Sequence, residues 1–207
     1  MKKFFFFFLI LFNTNYTAEE IGSRLEQKLK SLHSLKAKFE HIYYSSTIST
    51  PLRERGDFFF KKPHLMKWEY KEPEKRIYLL DGHYFLEYLP EEKQLTKFNL
   101  LKQEYPSQII SLLSGESEIT SEYKIELSPL PTENREAFQI RLIQREDPDS
   151  FILLEIDKKS WLIKRAIFFD WEGNKSEFKF SLIQVNINLS EDVFKLELPP
   201  DVEVIED

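Results

Sequence analysis

From Gly56 to Gly82 the chain alternates in steps of two, and this stretch, GDFFFKKPHLMKWEYKEPEKRIYLLDG, limits the possible folds more than any other. Phe58 and Phe60 share one face of a strand, Met66, Trp68 and Tyr70 share a face of the next, and Ile77 and Leu79 follow. A period of two puts such residues on one side of a pleated sheet with charges opposite. Pro63 and Pro73 separate the runs, because proline cannot donate to a ladder, and Asp81-Gly82 is a strong hairpin turn. A sheet with so aromatic a face must cover it, either with the protein's own core or with a greasy ligand.

The rest of the chain extends this pattern. Ile21, Leu25, Leu29, Leu32, Leu35 and Phe39 recur in steps of three and four, the stripe of an amphipathic helix that gives way to a strand around Ala37. Strand patterns follow at Tyr84 to Tyr88 and Leu95 to Leu100. Tyr105-Pro106-Ser107 starts a short helix carrying Ile109, Ile110, Leu112 and Leu113, with Gly115 as its stop. Alternation then returns at Tyr123 to Leu127, Phe138 to Ile143, Phe151 to Ile156, Leu162 to Phe169 and Glu177 to Val185. Asn134-Arg135, Asp147-Pro148-Asp149 and Glu172-Gly173-Asn174 are the turns between them, and Val193 to Leu198 is a final short strand. About ten or eleven antiparallel strands and two helical segments make one mainly β domain. A length of 207 residues suits a single domain with a substantial core.

Lys2 and Lys3 precede an unbroken apolar run from Phe4 to Phe12, too short to span a bilayer and suited to a signal peptide. The expected cleavage point is Ala18, so that residues 19–207 form the mature domain. Cleavage there gives up the capping box that Thr17-Ala-Glu-Glu20 would otherwise make. The leader holds two lysines and no acid, so removing it makes a chain of net charge −6 more acidic still. That charge argues against nucleic acid and anionic membrane as partners. The absence of cysteine rules out disulfides, thiolate metal sites and thiol catalysis.

No arrangement of residues announces catalysis. There is no G-x-S-x-G elbow and no phosphate-cradling glycine loop, and His33, His41, His64 and His83 fall in separate elements without metal-ligand spacing. The reading is of a protein with no catalytic residues, no metal and no cofactor. What remains unexplained is the surplus of aromatic and aliphatic side chains.

The order Lys61-Lys62-Pro63, Trp68-Glu-Tyr70, Pro73, Asp81-Gly82, Tyr88 and Pro90 resembles the N-terminal half of the LolA-type lipoprotein carriers. The far end is similar too: Asp170, Gly173-Asn174, the Phe178/Phe180 strand, Asn186, Phe194 and Pro199-Pro200-Asp-Val202, as is the opening helix running into Ala37-Lys-Phe39. The resemblance implies an incomplete antiparallel β-barrel of about 11 strands, with helices capping a hydrophobic cavity. It implies a periplasmic, monomeric carrier that takes acylated lipoproteins from an inner-membrane ABC transporter and passes them to an outer-membrane acceptor. The related acceptors are themselves lipoproteins, which a chain without cysteine cannot be. A lipid-binding envelope-sensor module with the same half-barrel is the alternative.

By the same resemblance Trp68 and Met66 line the cavity, with Phe58, Phe60, Tyr70 and Leu79 by parity and Ile109, Ile110 and Leu113 on the inner face of a lid. Lys62 takes the position of an arginine that latches the lid in related proteins, and an ammonium lacks the planar fork of a guanidinium. Met66 stands where an aromatic residue is common, a softer wall.

Overall fold

A computed structural model describes residues 16–100, 108–128, 136–169 and 172–206. The leader to residue 15, the Tyr105-Pro106-Ser107 helix start, the Asn134-Arg135 turn and Asp170 lie outside the described residues.

Helix α1 (Ala18–Ser31) leads into β1 (Ser34–Tyr44), β2 (Leu52–Lys61), β3 (Leu65–Glu72), β4 (Arg76–Leu80), β5 (Tyr84–Leu89) and β6 (Gln94–Asn99). Short helices α2 (Gln108–Ser114) and α3 (Ile119–Glu122) precede β7 (Tyr123–Leu127), β8 (Ala137–Gln144), β9 (Phe151–Asp157), β10 (Ile163–Phe169) and β11 (Lys175–Val185). A 3-10 turn at Glu191–Phe194 and β12 (Glu203–Glu206) complete the order. Among the described residues the strands form one 12-stranded sheet, β12-β6-β5-β4-β3-β2-β1-β11-β10-β9-β8-β7, whose two ends do not meet. The fold is mainly β, an unclosed barrel as expected. Its one departure from antiparallel pairing is β12, which runs parallel to β6.

Register explains the apolar interior. Phe58 pairs with Trp68 and Phe60 with Met66, while Met66 and Trp68 pair onward with Leu80 and Tyr78. Paired residues share a face, so the separate alternations of β2, β3 and β4 merge into one wall. Phe39 lies between Gly56 and Phe180 and extends that wall across β1 and β11. Gly56 is required there: a Cβ would stand 2.0 Å from the Glu69 carbonyl oxygen and 2.8 Å from the Phe39 ring. The Pro63 and Pro73 turns carry cis peptides, and Asp81 closes the β4–β5 turn by accepting from the amides of His83 and Tyr84, both at 2.8 Å.

α1 lies against the inner face with Ile21, Leu25 and Leu29 buried. Its stripe divides at Ser31: Leu32 is the C-cap, and Leu35 and Phe39 belong to β1. A spacing of four keeps a residue on one face of a helix and of a strand alike, so the same residues stay inside across the change. The expected strand at Val193 to Leu198 is instead a 3-10 turn and extended chain. This segment crosses the outer face, where Leu189 and Phe194 join Phe59, Leu79, Leu86, Tyr88 and Leu95 in a second apolar cluster.

Thr17 caps α1 with the full reciprocal box: its amide donates to Glu20 Oε2 at 2.8 Å, and the Glu20 amide donates to Thr17 Oγ1 at 3.2 Å. Tyr16 stands edge-on to Phe138 and Trp161, at 5.4 and 5.5 Å between centroids, under the Arg24 guanidinium. Cleavage after Ala18 would remove both residues. A chain beginning at Tyr16 should therefore be about 1–2 kcal/mol more stable in urea than one beginning at Glu19. Equal midpoints would show that the cap and the Tyr16 contacts contribute nothing.

Candidate functional site

The inner apolar cluster draws on β1 to β4, β7 to β11 and all three helices. Its aromatic centre is Trp68, whose ring lies 4.4 Å from Phe58, 5.0 Å from Phe39 and 5.3 Å from Phe178. Tyr70 packs edge-on to Phe39 at 4.8 Å and to Tyr78 at 5.8 Å. Burial pushes the Tyr70 phenol up, so it stays a neutral hydroxyl.

Helices cover this wall. Ile110, Leu112 and Leu113 of α2 are buried against it and Ile109 is half-buried. Gly115 ends α2 with a positive φ of 73°, and a Cβ there would stand 2.9 Å from the Leu29 carbonyl. The end of α2 thus rests on the backbone of α1. α3 is fastened more firmly, through the Thr120 amide and hydroxyl, each 2.9 Å from Glu26 Oε2. Between α1, α2 and the sheet remains a cavity of about 20 Å³ lined by Leu29, Leu32, Phe58, Leu113, Ile163 and Phe180, among others. Sites that hold small molecules run to roughly 300–1,000 Å³. That hollow among the described residues is too small for an acyl chain, which could occupy it only by displacing part of the cover. Larger hollows, about 460 and about 670 Å³, open on the outer face among charged residues such as Lys38, Arg55 and Lys71 or Lys67, Asp192 and Lys195.

Most of the expected residues come together. Phe58 and Leu113 line the cavity, and Phe60, Met66, Trp68, Tyr70 and Ile110 belong to the same cluster, with Ile109 packed beside it. Leu79 does not. It pairs with Lys67, which places it on the outer face within the second cluster; Tyr78 and Leu80 are the inward residues of β4. β4 is apolar on both faces because the C-terminal segment covers the outer one, so parity there had two answers. Lys62 also differs from expectation: its Nζ donates to the Lys30 carbonyl at 2.5 Å, at the C-terminal end of α1 rather than on α2. The last carbonyls of a helix lack intrahelical donors and favour a cation. Lys62 therefore reaches α2 through α1, at the turn on which Gly115 rests. Leu29, Leu32, Ile163 and Phe180 were missed as cavity residues, although the α1 stripe and the β11 alternation carried the signal.

Among the described residues, charge lies at the edges of this wall and on the outer face. Burial would raise the Glu54 carboxyl, but the hydrogen bond from His41 and the charge of Arg76 outweigh it and hold it below the usual carboxylate range. Outside, Glu177 is 2 % exposed and meets Arg165 Nε at 2.8 Å and Lys179 Nζ at 3.3 Å, and Asp57 meets Lys71 Nζ at 2.6 Å. Burial opposes ionisation of both, and their cations outweigh it.

An open half-barrel with an apolar interior and a helical cover defines the class of protein. The chain belongs to the outer membrane lipoprotein carrier protein LolA family, whose model matches residues 30–197. It is similar to the outer-membrane lipoprotein carrier protein of Hahella chejuensis, 26% identical over 86% of this chain and 84% of the relative. That of Psychromonas ingrahamii is 24% identical over 99% and 98%. Among solved structures, an uncharacterized conserved protein of Thermus thermophilus matches with TM-score 0.59 at 16% identity, over 92% of this chain and 99% of that one. The Pseudomonas aeruginosa MucA/MucB complex matches with TM-score 0.50 at 12%, over 87% and 61%. Mycobacterium tuberculosis lipoprotein LppX matches with TM-score 0.51 at 10%, over 82% and 95%. These structures share the fold.

Two outcomes follow from the geometry. Lys62→Met should leave the sheet intact but loosen the contact between the end of α1 and α2, raising the uptake rate of a fluorescent acyl probe severalfold in stopped-flow mixing; an unchanged rate would show that the bond does not restrain the cover. The depressed carboxyls of Glu54, Asp57 and Glu177 add stability that is fully present above the ordinary carboxylate pKa, about 4, and is lost as pH falls through their lower native values. Urea midpoints should be flat near neutrality and fall below about pH 4, with part of that slope removed in Glu177→Gln.

Proposed function

We propose that this lipoprotein carrier works in the periplasm as a monomer without catalysis. It covers the acyl chains of lipoproteins released from an inner-membrane ABC transporter and delivers them toward the outer membrane, where an acceptor would take them. The observation that carries the reading is an aromatic and aliphatic inner wall covered by a short helix.

Magnitudes support a reversible load. Each buried CH₂ contributes about 0.8 kcal/mol, so a long acyl chain exposed to water costs on the order of 10 kcal/mol. Burial of Ile110, Leu112 and Leu113 contributes roughly 5–9 kcal/mol, an upper estimate because the unfolded reference is idealised. An incoming chain can therefore replace α2 on the wall with a modest net gain. That balance allows capture and also release; a permanently open pocket of this apolarity would itself be an aggregation hazard. Met66 adds a flexible side chain to the wall, suited to chains of differing shape.

The likeness to the MucA/MucB complex, at 12% identity, shows the fold alone and gives the sensor alternative no support of its own, whereas relatives named as carriers match by sequence over most of their length. The carrier reading is the better supported. Native mass spectrometry of protein purified from a periplasm, with cargo pull-down, tests it. Acylated lipoproteins should co-purify and be lost in Trp68→Asp and in Ile110→Asp. Protein that carries nothing and accepts no lipoprotein from inner-membrane vesicles would contradict it.

A further inference from the structure

The outer face carries a leucine that the fold does not explain. Leu182 of β11 is 72% exposed, more than any other large apolar side chain among the described residues, and it belongs to neither apolar cluster. Its φ is +49°, in the left-handed region that strains any residue with a Cβ. A bulge puts it there: Lys38 pairs with Ser181 and Lys36 with Gln184, so Leu182 and Ile183 together face Ala37. Phe180 and Ile183 both line the inner cavity, so the two residues between them both project outward. The bulge keeps β11 apolar inside, but it needs no leucine. Glycine or asparagine would hold the same backbone with less strain and expose no apolar surface. Strain and exposed apolar surface at one position are two costs without a return inside this chain.

The hollow of about 460 Å³ opens beside it, lined by Ser181, Lys38, Arg55, Lys71 and Lys179 among others. Ion pairs join these cations to acids, Lys38 and Lys71 to Asp57, Arg55 to Glu40 and Lys179 to Glu177. Depth separates the two signs. The four cations keep 43–62% of their side-chain surface exposed, whereas Asp57, Glu177 and Glu40 keep 11%, 2% and 26%. Glu72 of the same hollow, at 67%, is a carboxylate that projects with the cations. An approaching charge therefore meets mainly ammonium and guanidinium groups, with their counter-charges behind them, on a chain of net charge −6. Lys36 and Lys38 occupy the rungs on either side of Leu182, so the leucine stands flanked by lysines. An anionic bilayer would feel the same cations, but the acidity of the whole chain opposes its approach, and a hollow suits inserted side chains better than a plane.

We propose that this part of the outer face docks an acidic segment of a partner protein, with Leu182 as the apolar anchor and Lys38, Lys71 and Lys179 meeting carboxylates around it. Apolar contact at the centre then supplies affinity, and the charges at the rim supply orientation and partner choice. The inference goes beyond the carrier reading and does not rest on it. The strands that present this face turn their other side to the aromatic wall, so a partner held here leaves Trp68 and α2 uncovered.

The probe is a fluorescein-labelled peptide of glutamates around a central leucine, titrated with the mature protein and followed by anisotropy. Binding should saturate, and should weaken as salt rises. Leu182→Asn should raise the urea midpoint, because asparagine tolerates a positive φ, and yet weaken peptide binding about tenfold. The double change Lys38→Glu and Lys179→Glu should weaken it by a similar factor. Neither variant should alter the affinity for a fluorescent acyl probe, which shows that the inner wall is intact. A peptide with serine at its centre should bind the unaltered protein more weakly, and should lose nothing further in Leu182→Asn. No saturable binding, or binding unchanged in both variants, refutes the docking face. A lowered urea midpoint in Leu182→Asn with peptide binding intact gives the leucine a packing role and overturns the anchor. If vesicles of phosphatidylglycerol bind through these lysines and the peptide does not, the face meets a membrane and the proposal is wrong. If the peptide binds but the unaltered protein takes no acyl probe, the carrier reading falls and the docking face stands.

Discussion

The cross-strand pairing of β2 with β3 sets the conditions for everything else in this molecule. Placing Phe58 opposite Trp68 and Phe60 opposite Met66 gathers aromatic and aliphatic side chains from neighbouring strands onto one face. A one-residue slip would bring Asp57, Lys67 and Glu69 inward instead, so burial of this face and the register enforce each other. Once the face exists it must be covered, and the sheet cannot cover it by closing, since β12 and β7 lie at opposite ends of the strand order. The helices supply the cover. α1 and α3 are tied together by Glu26 and Thr120, whereas α2 rests on the wall largely by apolar contact and on α1 through Gly115. Apolar contact is non-directional and can be exchanged for an acyl chain of similar area, which a network of directed hydrogen bonds cannot.

The two faces of the sheet divide the work. Outside, buried or half-buried carboxylates sit among cations, Glu177 with Arg165 and Lys179 and Asp57 with Lys38 and Lys71, linking β1, β2, β3, β10 and β11. The C-terminal segment adds an apolar strap over β2 to β6. These features brace the sheet from behind.

Much of this was legible in the residues, and the failures have physical causes. The alternation from Phe58 to Tyr70 led to the wall because its outward positions are charged, so parity had one answer. At Leu79 parity failed because β4 is apolar on both faces, and the reason lies more than a hundred residues away in Leu189 and Phe194. The α1 stripe ran past its true end because a spacing of four suits helix and strand alike. Val193 to Leu198 alternates like a strand but pairs with no strand among the described residues, and packs as a turn against the outer face. Lys62 was singled out by resemblance alone, and its partner could not be read from local sequence, since Lys30 is brought to it only by the fold. The His41, Glu54 and Arg76 cluster left no sequence signal, because its members come from three strands and meet only through register.

The central claim is that an acyl chain reaches the wall by lifting α2 while the sheet beneath stays unchanged. Hydrogen–deuterium exchange of the amides of residues 109–114, followed as an acyl-chain ligand is added, tests it most directly. Exchange across α2 should quicken on loading while the amides of β1, β2 and β3 keep their protection. Loading that leaves α2 as protected as before, or that exposes the central strands with it, would contradict the account.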